Sequence, residues 1–226
     1  MVDVHEAVER DVFDMARYWN VRKFQFVDVA AHEFEVLVDP AIAYGEEPSF
    51  EETMAYNQAF TEWLLFERVA GDGMTLLERY VAEPPASAGA ESVERLRQVV
   101  RTQFFSRFAI AGKDVRSGRS ELVDLQTGRS YDVWDPGIAR KERWRDGALA
   151  VRIAEVEGEW LAIGQLRLYD IAPAAETSVD GPGAVHPEDL AAGFDTSKMC
   201  FYLRLIRDVM GYDGRCAPSL NVMPDA

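Results

Sequence analysis

Between Ala148 and Tyr169 the chain alternates with a period of two: Leu149, Val151 and Ile153 are separated by Ala150 and Arg152, and Leu166 and Leu168 flank Arg167. Such alternation predicts strands with one face buried and the other wet. Upstream, Ser117-Gly118-Arg119-Ser120 and Thr127-Gly128-Arg129-Ser130 recur ten residues apart, turn chemistry at the spacing of a β-meander. Five strands follow, near 104–111, 120–125, 130–134, 148–156 and 160–169, with Gly158 turning the last hairpin. Strands of this number and length are enough to close a small barrel, which removes exposed edges; an open sheet packed on helices is the alternative.

The N-terminal hundred residues change period. Val4, Val8, Val12, Met15 and Trp19 share one helical face, and Asp3 and Glu6 suit the helix start. A second helix is expected over 23–38, with Phe26, Ala30, Phe34 and Val38 in step and Pro40 as its stop. Ser49-Phe50-Glu51-Glu52 reads as a capping box opening a helix over 50–69. Gly71-Asp72-Gly73 breaks that helix, and Thr75-Leu76-Leu77-Glu78 starts a short one ended by Pro84-Pro85. A further helix over 91–100 leads into the strands. Beyond them, 173–187 is a Pro-, Gly- and Ala-rich connection, and 197–210 carries Met199, Tyr202, Leu203 and Ile206 at helical spacing before Gly211.

The predicted fold class is therefore α+β: a helical region (1–100), a five-stranded antiparallel meander or small barrel (101–172), then a linker and a C-terminal helix packing on the rest (173–226). At 226 residues, 48% hydrophobic and 28% charged, the chain can bury about 70% of its unfolded surface. It holds no apolar run near the ~20 residues of a bilayer span. Its first residues lack the basic start and apolar core of a signal peptide. The expectation is a cytoplasmic protein with no membrane partner. Cys200 and Cys216 are far from further thiols and from the histidines, so neither a disulfide framework nor a zinc site is expected.

The net charge of −15 speaks against general nucleic-acid binding. It is unevenly spread: residues 98–171 carry 12 Lys and Arg against 11 Asp and Glu, and the remainder 12 against 28. The barrel is charge-balanced, and the flanking segments hold the acid.

Two sets of residues resemble a group of bacterial proteins of unassigned activity. The helical half contributes Trp63, Phe66, Glu67, Gly71, Gly73, Thr75, Leu77 and Glu78; the strand half contributes Thr127, Gly128, Tyr131, Val133, Asp135, Gly147, Leu149, Arg152 and Gly164. The resemblance implies a helical N-terminal half and a barrel-like C-terminal half, without a reaction. Some members of that group resemble companions of small SEC-C metal-binding domains. This chain has no Cys-rich tail, so a metal role does not carry over.

The candidate chemistry is sparse. His32-Glu33-Phe34-Glu35-Val36 begins like a zinc-protease helix but has Val36 where the second histidine belongs. Nucleophile-elbow, P-loop and dinucleotide-binding glycine motifs are absent. Phe60, Trp63 and Phe66 read as core, and Glu155, Glu157 and Glu159 as solvated charge at a hairpin tip. Arg140-Lys141-Glu142-Arg143-Trp144-Arg145 is a basic loop with one aromatic between two strands; Arg140, Lys141, Arg143, Trp144 and Arg145 are the candidate anion or nucleic-acid contacts. Asp132 and Asp135 are the candidate pair for a metal-assisted hydrolase. With no catalytic constellation, cofactor or metal site indicated, the leading expectation is a non-enzymatic cytosolic interaction or adaptor module that meets a protein partner. A nucleic-acid-associated barrel and the hydrolase are the alternatives.

Overall fold

Two hydrophobic cores lie on opposite sides of the strands, one inside the sheet and one between sheet and helices. The computed structural model describes residues 4–44, 47–142, 147–177, 179–181, 189 and 191–212. Its elements run α1 (Val4–Asn20), α2 (Val27–Val38), α3 (Phe50–Phe66), α4 (Leu76–Ala82), α5 (Ala90–Thr102), β1 (Phe104–Asp114), β2 (Arg119–Asp124), β3 (Ser130–Trp134), α6 (Pro136–Arg140), β4 (Ala148–Val156), β5 (Glu159–Asp170) and α7 (Phe201–Met210), so the fold is α+β. Residues 23–25, expected to begin the second helix, form a separate 3-10 turn.

Both capping boxes form. The Glu52 N–H is accepted by Ser49 Oγ, the Glu78 N–H by Thr75 Oγ1, and each glutamate accepts the backbone N–H of its cap in return. Helix α1 is pinned from two sides: Trp19 Nε1 donates to Leu76 O at 3.0 Å, and Arg95 Nε to Asp11 Oδ2 at 2.6 Å.

The strands close into a barrel in the order β1-β2-β3-β5-β4. The expected antiparallel pairing holds except at the closure, where β3 and β5 run parallel. The recurring tetrapeptides make the same turn twice. Asp114 and Asp124 each accept through the carboxylate from the chain two residues on and from the hydroxyl three residues on, Ser117 or Thr127. The following Gly118 and Gly128 take φ of +71° and +69°, a left-handed conformation that suits glycine. Short helix α6, unforeseen in the sequence, carries Ile138 into the end of the barrel.

The barrel interior holds Phe108, Leu122, Val133, Leu149, Val151 and Ile153. On the other side of β4, Ala150, Ala154 and Val156 join the helical core with Phe34, Trp63, Leu96 and Tyr202. Strand β4 is thus buried on both faces, which corrects the expectation of a wet face: helices cover it, and Arg152 is fully buried there.

Candidate functional site

In β5, three extra residues interrupt the ladder: Ile163 pairs with Arg152 and Arg167 with Val151, leaving Gly164, Gln165 and Leu166 as an insertion. Bulges re-aim side chains and recur beside functional sites. Here the odd number of inserted residues inverts the alternation, so Ile163 and Leu166 both face the helical core. Gly164 has φ of +77°, and a Cβ there would lie 2.6 Å from Glu62 Oε2. Glycine at 164 is what lets α3 approach the strand.

Across the insertion lies Glu62 of α3, buried among apolar neighbours. Its Oε1 accepts from Arg152 Nε at 3.0 Å and its Oε2 from the Leu166 N–H at 3.1 Å. Arg152 Nη2 donates to Glu67 Oε1 at 2.7 Å and Nη1 to Gln103 Oε1, so one guanidinium joins α3, the end of α5 and β4. Its plane lies among the rings of Phe66, Phe105 and Tyr202, with centroids at 4.8, 5.6 and 5.6 Å. Burial raises the Glu62 carboxyl above its ordinary range, against the opposing pull of Arg152 and the Leu166 N–H. Burial alone would lower Arg152, but Glu62 and Glu67 outweigh it and hold the guanidinium charged. Tyr202 is pushed well up, chiefly by burial, and its hydroxyl donates to Ala59 O at 2.9 Å.

Between α1, α3 and the β5 insertion is a cavity of about 170 Å³. Val8, Val12 and Ala16 come from α1, spaced by four, and Leu65 and Phe66 from α3. The polar wall comprises His5 and Glu9 on α1, Gln58, Thr61 and Glu62 on α3, and Gln165 and Arg167 on β5. Arg167 is already engaged: Nε and Nη2 donate to Asp135 Oδ2 at 3.1 and 2.6 Å, and Nη1 donates to Gly164 O. The His5 ring packs on Trp134 at 4.2 Å between centroids. Gln58 Oε1 is different: it is buried and accepts no hydrogen bond among the described residues.

The residues singled out in the sequence are distributed elsewhere. Arg140 is exposed and ends α6 rather than lying in a loop, and Lys141 follows it, its carbonyl accepting from Lys113 Nζ at 2.8 Å. Arg143, Trp144 and Arg145 lie outside the described residues. Asp132 and Asp135 serve separate ends: Asp132 is exposed and pairs with Arg119 at 3.1 Å, whereas Asp135 caps α6 through the Ile138 N–H and holds Arg167. Among the described residues no group of three or more His, Cys, Asp and Glu is placed to hold a metal ion. Trp63 and Phe66 are core, and His32 is an exposed residue of α2.

Sequence reasoning missed Glu62, Arg152 and Gln58. The legible signal was a single charge inside an apolar run: Glu62 beside Trp63-Leu64-Leu65-Phe66, and Arg152 within Ala148-Leu149-Ala150-Val151 and Ile153-Ala154, opposite in sign. No protein-family model, no curated protein and no solved structure matches the chain.

Proposed function

We propose that the protein is a non-catalytic binding module whose ligand occupies the cavity between α1, α3 and the β5 insertion. The observation that carries this is the buried Gln58 Oε1, without a partner among the described residues, in the wall of a largely apolar cavity of about 170 Å³. A buried acceptor left unmet costs about 1–3 kcal/mol, which a bound donor would recover. The charged groups around the cavity support binding rather than turnover: Arg152 is held by Glu62, Glu67 and Gln103, and Arg167 by Asp135 and the Gly164 carbonyl. The proposal sets this module in the cytosol as an adaptor toward a protein partner, supported by the acid concentrated outside residues 98–171.

The test is a fragment screen by ligand-observed NMR on the wild type and on Ala16→Phe, which fills the cavity from the α1 wall. Fragments that bind the wild type and not the variant support the reading. Binding indifferent to Ala16→Phe, or no binding at all, refutes it.

A nucleic-acid role is the second reading, supported by the closed five-stranded barrel, since small barrels of the OB type bind oligonucleotides on the face of their second and third strands. In this chain that face sets Glu121 opposite Asp132, and Arg119 is engaged with Asp132 and Glu159. The reading therefore rests on Arg140, Lys141, Arg143, Trp144 and Arg145. It requires salt-sensitive binding to single-stranded RNA or DNA that Arg143→Ala or Trp144→Ala weakens. Absence of binding at low salt removes it.

A further inference from the structure

We infer, resting on the binding reading above, that the cavity takes a small primary ammonium compound with a compact apolar body. Size comes first. A cavity of about 150 Å³ lined by apolar side chains accommodates benzene, so about 170 Å³ here admits one ring with a short tail. Val8, Val12, Ala16 and Leu65 supply the apolar wall for that ring.

The polar end of the ligand must donate. Gln58 and Glu62 are four residues apart on α3, so both present to the same face. Among the described residues Gln58 Oε1 has no donor, and Glu62 Oε2 receives the Leu166 N–H alone, leaving it room for a second hydrogen bond. The guanidinium that lines the same cavity is held in place by Asp135 and the Gly164 carbonyl, which take three of its five N–H groups and neutralise its charge with a carboxylate.

Charge then separates an ammonium from a neutral donor. Glu9, Glu62, Glu67 and Asp135 stand in or directly behind the cavity wall, against the guanidinium groups of Arg152 and Arg167. Of these, Glu9 is exposed and Glu67 partly so, while Glu62 and Asp135 are buried; a surplus of carboxyl groups around the site favours a cation and opposes a carboxylate. Phe13, 61% exposed, also lines the cavity from α1.

The experiment uses three probes with one apolar body: 2-phenylethylamine, 2-phenylethanol and 3-phenylpropanoate. Each is titrated into the full-length ¹⁵N-labelled protein, with the Gln58 side-chain amide and the Gly164 amide as reporters. The amine is expected to bind about tenfold or more tightly than the alcohol, as befits a charged hydrogen bond, with the carboxylate weakest. Gln58→Leu is expected to cost the amine about tenfold, while Gln58→Glu, which keeps an acceptor and adds charge, tightens it. Ala16→Phe abolishes binding of all three. Equal affinity for amine and alcohol, preference for the carboxylate, or indifference to both Gln58 substitutions overturns the ammonium assignment. Loss on Ala16→Phe would in that case still leave the cavity as a binding site. If the wild type binds none of the probes, the ammonium assignment falls, and the fragment screen then decides separately whether the cavity binds anything.

Discussion

Replacing Arg152 with Met tests the central packing argument. The guanidinium is fully buried, donates to Glu62 at 3.0 Å and Glu67 at 2.7 Å, and also donates to Gln103. Methionine preserves much of the apolar stem among Phe66, Phe105 and Tyr202, so the loss is chiefly electrostatic. Glu62, 3% exposed, is left without its counter-charge, while Glu67 reaches solvent. Breaking a buried pair by removing one member costs about 3–5 kcal/mol, because the survivor remains desolvated. For a chain of this length that is roughly a 10 °C fall in Tm. Urea denaturation should show a lower midpoint with an unchanged slope. Adding Glu62→Gln removes the stranded charge but keeps an acceptor for the Leu166 N–H, so the double variant should recover about 1–2 kcal/mol over Arg152→Met. A loss below about 1 kcal/mol in the single variant, or a double variant less stable than the single, would refute the reasoning.

Gly164→Ala combines a left-handed backbone with a Cβ 2.6 Å from Glu62 Oε2 and should destabilise by about 3 kcal/mol in urea titrations. Gly158→Ala, at φ +83° with open space around it, should cost only about 1–2 kcal/mol, and equal losses at the two sites would contradict the close approach of α3. Because burial raises Glu62, its contribution to stability is full below the unfolded value of 4.5 and is lost as pH rises through the higher folded value. Wild-type stability relative to Glu62→Gln should therefore decline from pH 4 upward; a difference that stays flat or grows would reverse the assigned direction. Thr75→Ala removes the side-chain acceptor at the start of α4 and should cost about 1 kcal/mol by thermal denaturation, against no change if the cap were idle.

The parts of the fold legible in the sequence were those set by neighbours along the chain. Ser49 and Thr75 announced their helices because a capping box is complete within four residues, and β3 and β4 were expected over the residues they occupy. The strand closing the barrel was also foreseen, but its direction beside β3 was not, since parallel pairing of Val133 with Trp160 leaves no local pattern. The insertion at 164–166 hides in an ordinary-looking alternation, because Gly164 declares itself only against Glu62, more than a hundred residues upstream. For the same reason the wet face assigned to Arg152 was wrong: its partners Glu62, Glu67 and Gln103 come from helices whose docking no periodicity reports. The cavity belongs to this second class, being made by contact between α1, α3 and β5.

The parallel closure has a mechanical consequence. It pairs Val133 with Trp160 and Trp134 with Leu161, whereas β4 and β5 are laced from Ala148–Asp170 to Val156–Glu159. With two residue pairs it is the shortest seam of the ring, and the start of α1 lies across it through His5 on Trp134. The same helix that touches the seam also supplies a wall of the cavity, so the two share α1. A ligand bound there as proposed would act as a clasp, raising the free energy of opening in proportion to the logarithm of its concentration over its Kd. Amide exchange along β3 and the start of β5 would then read out cavity occupancy at a distance.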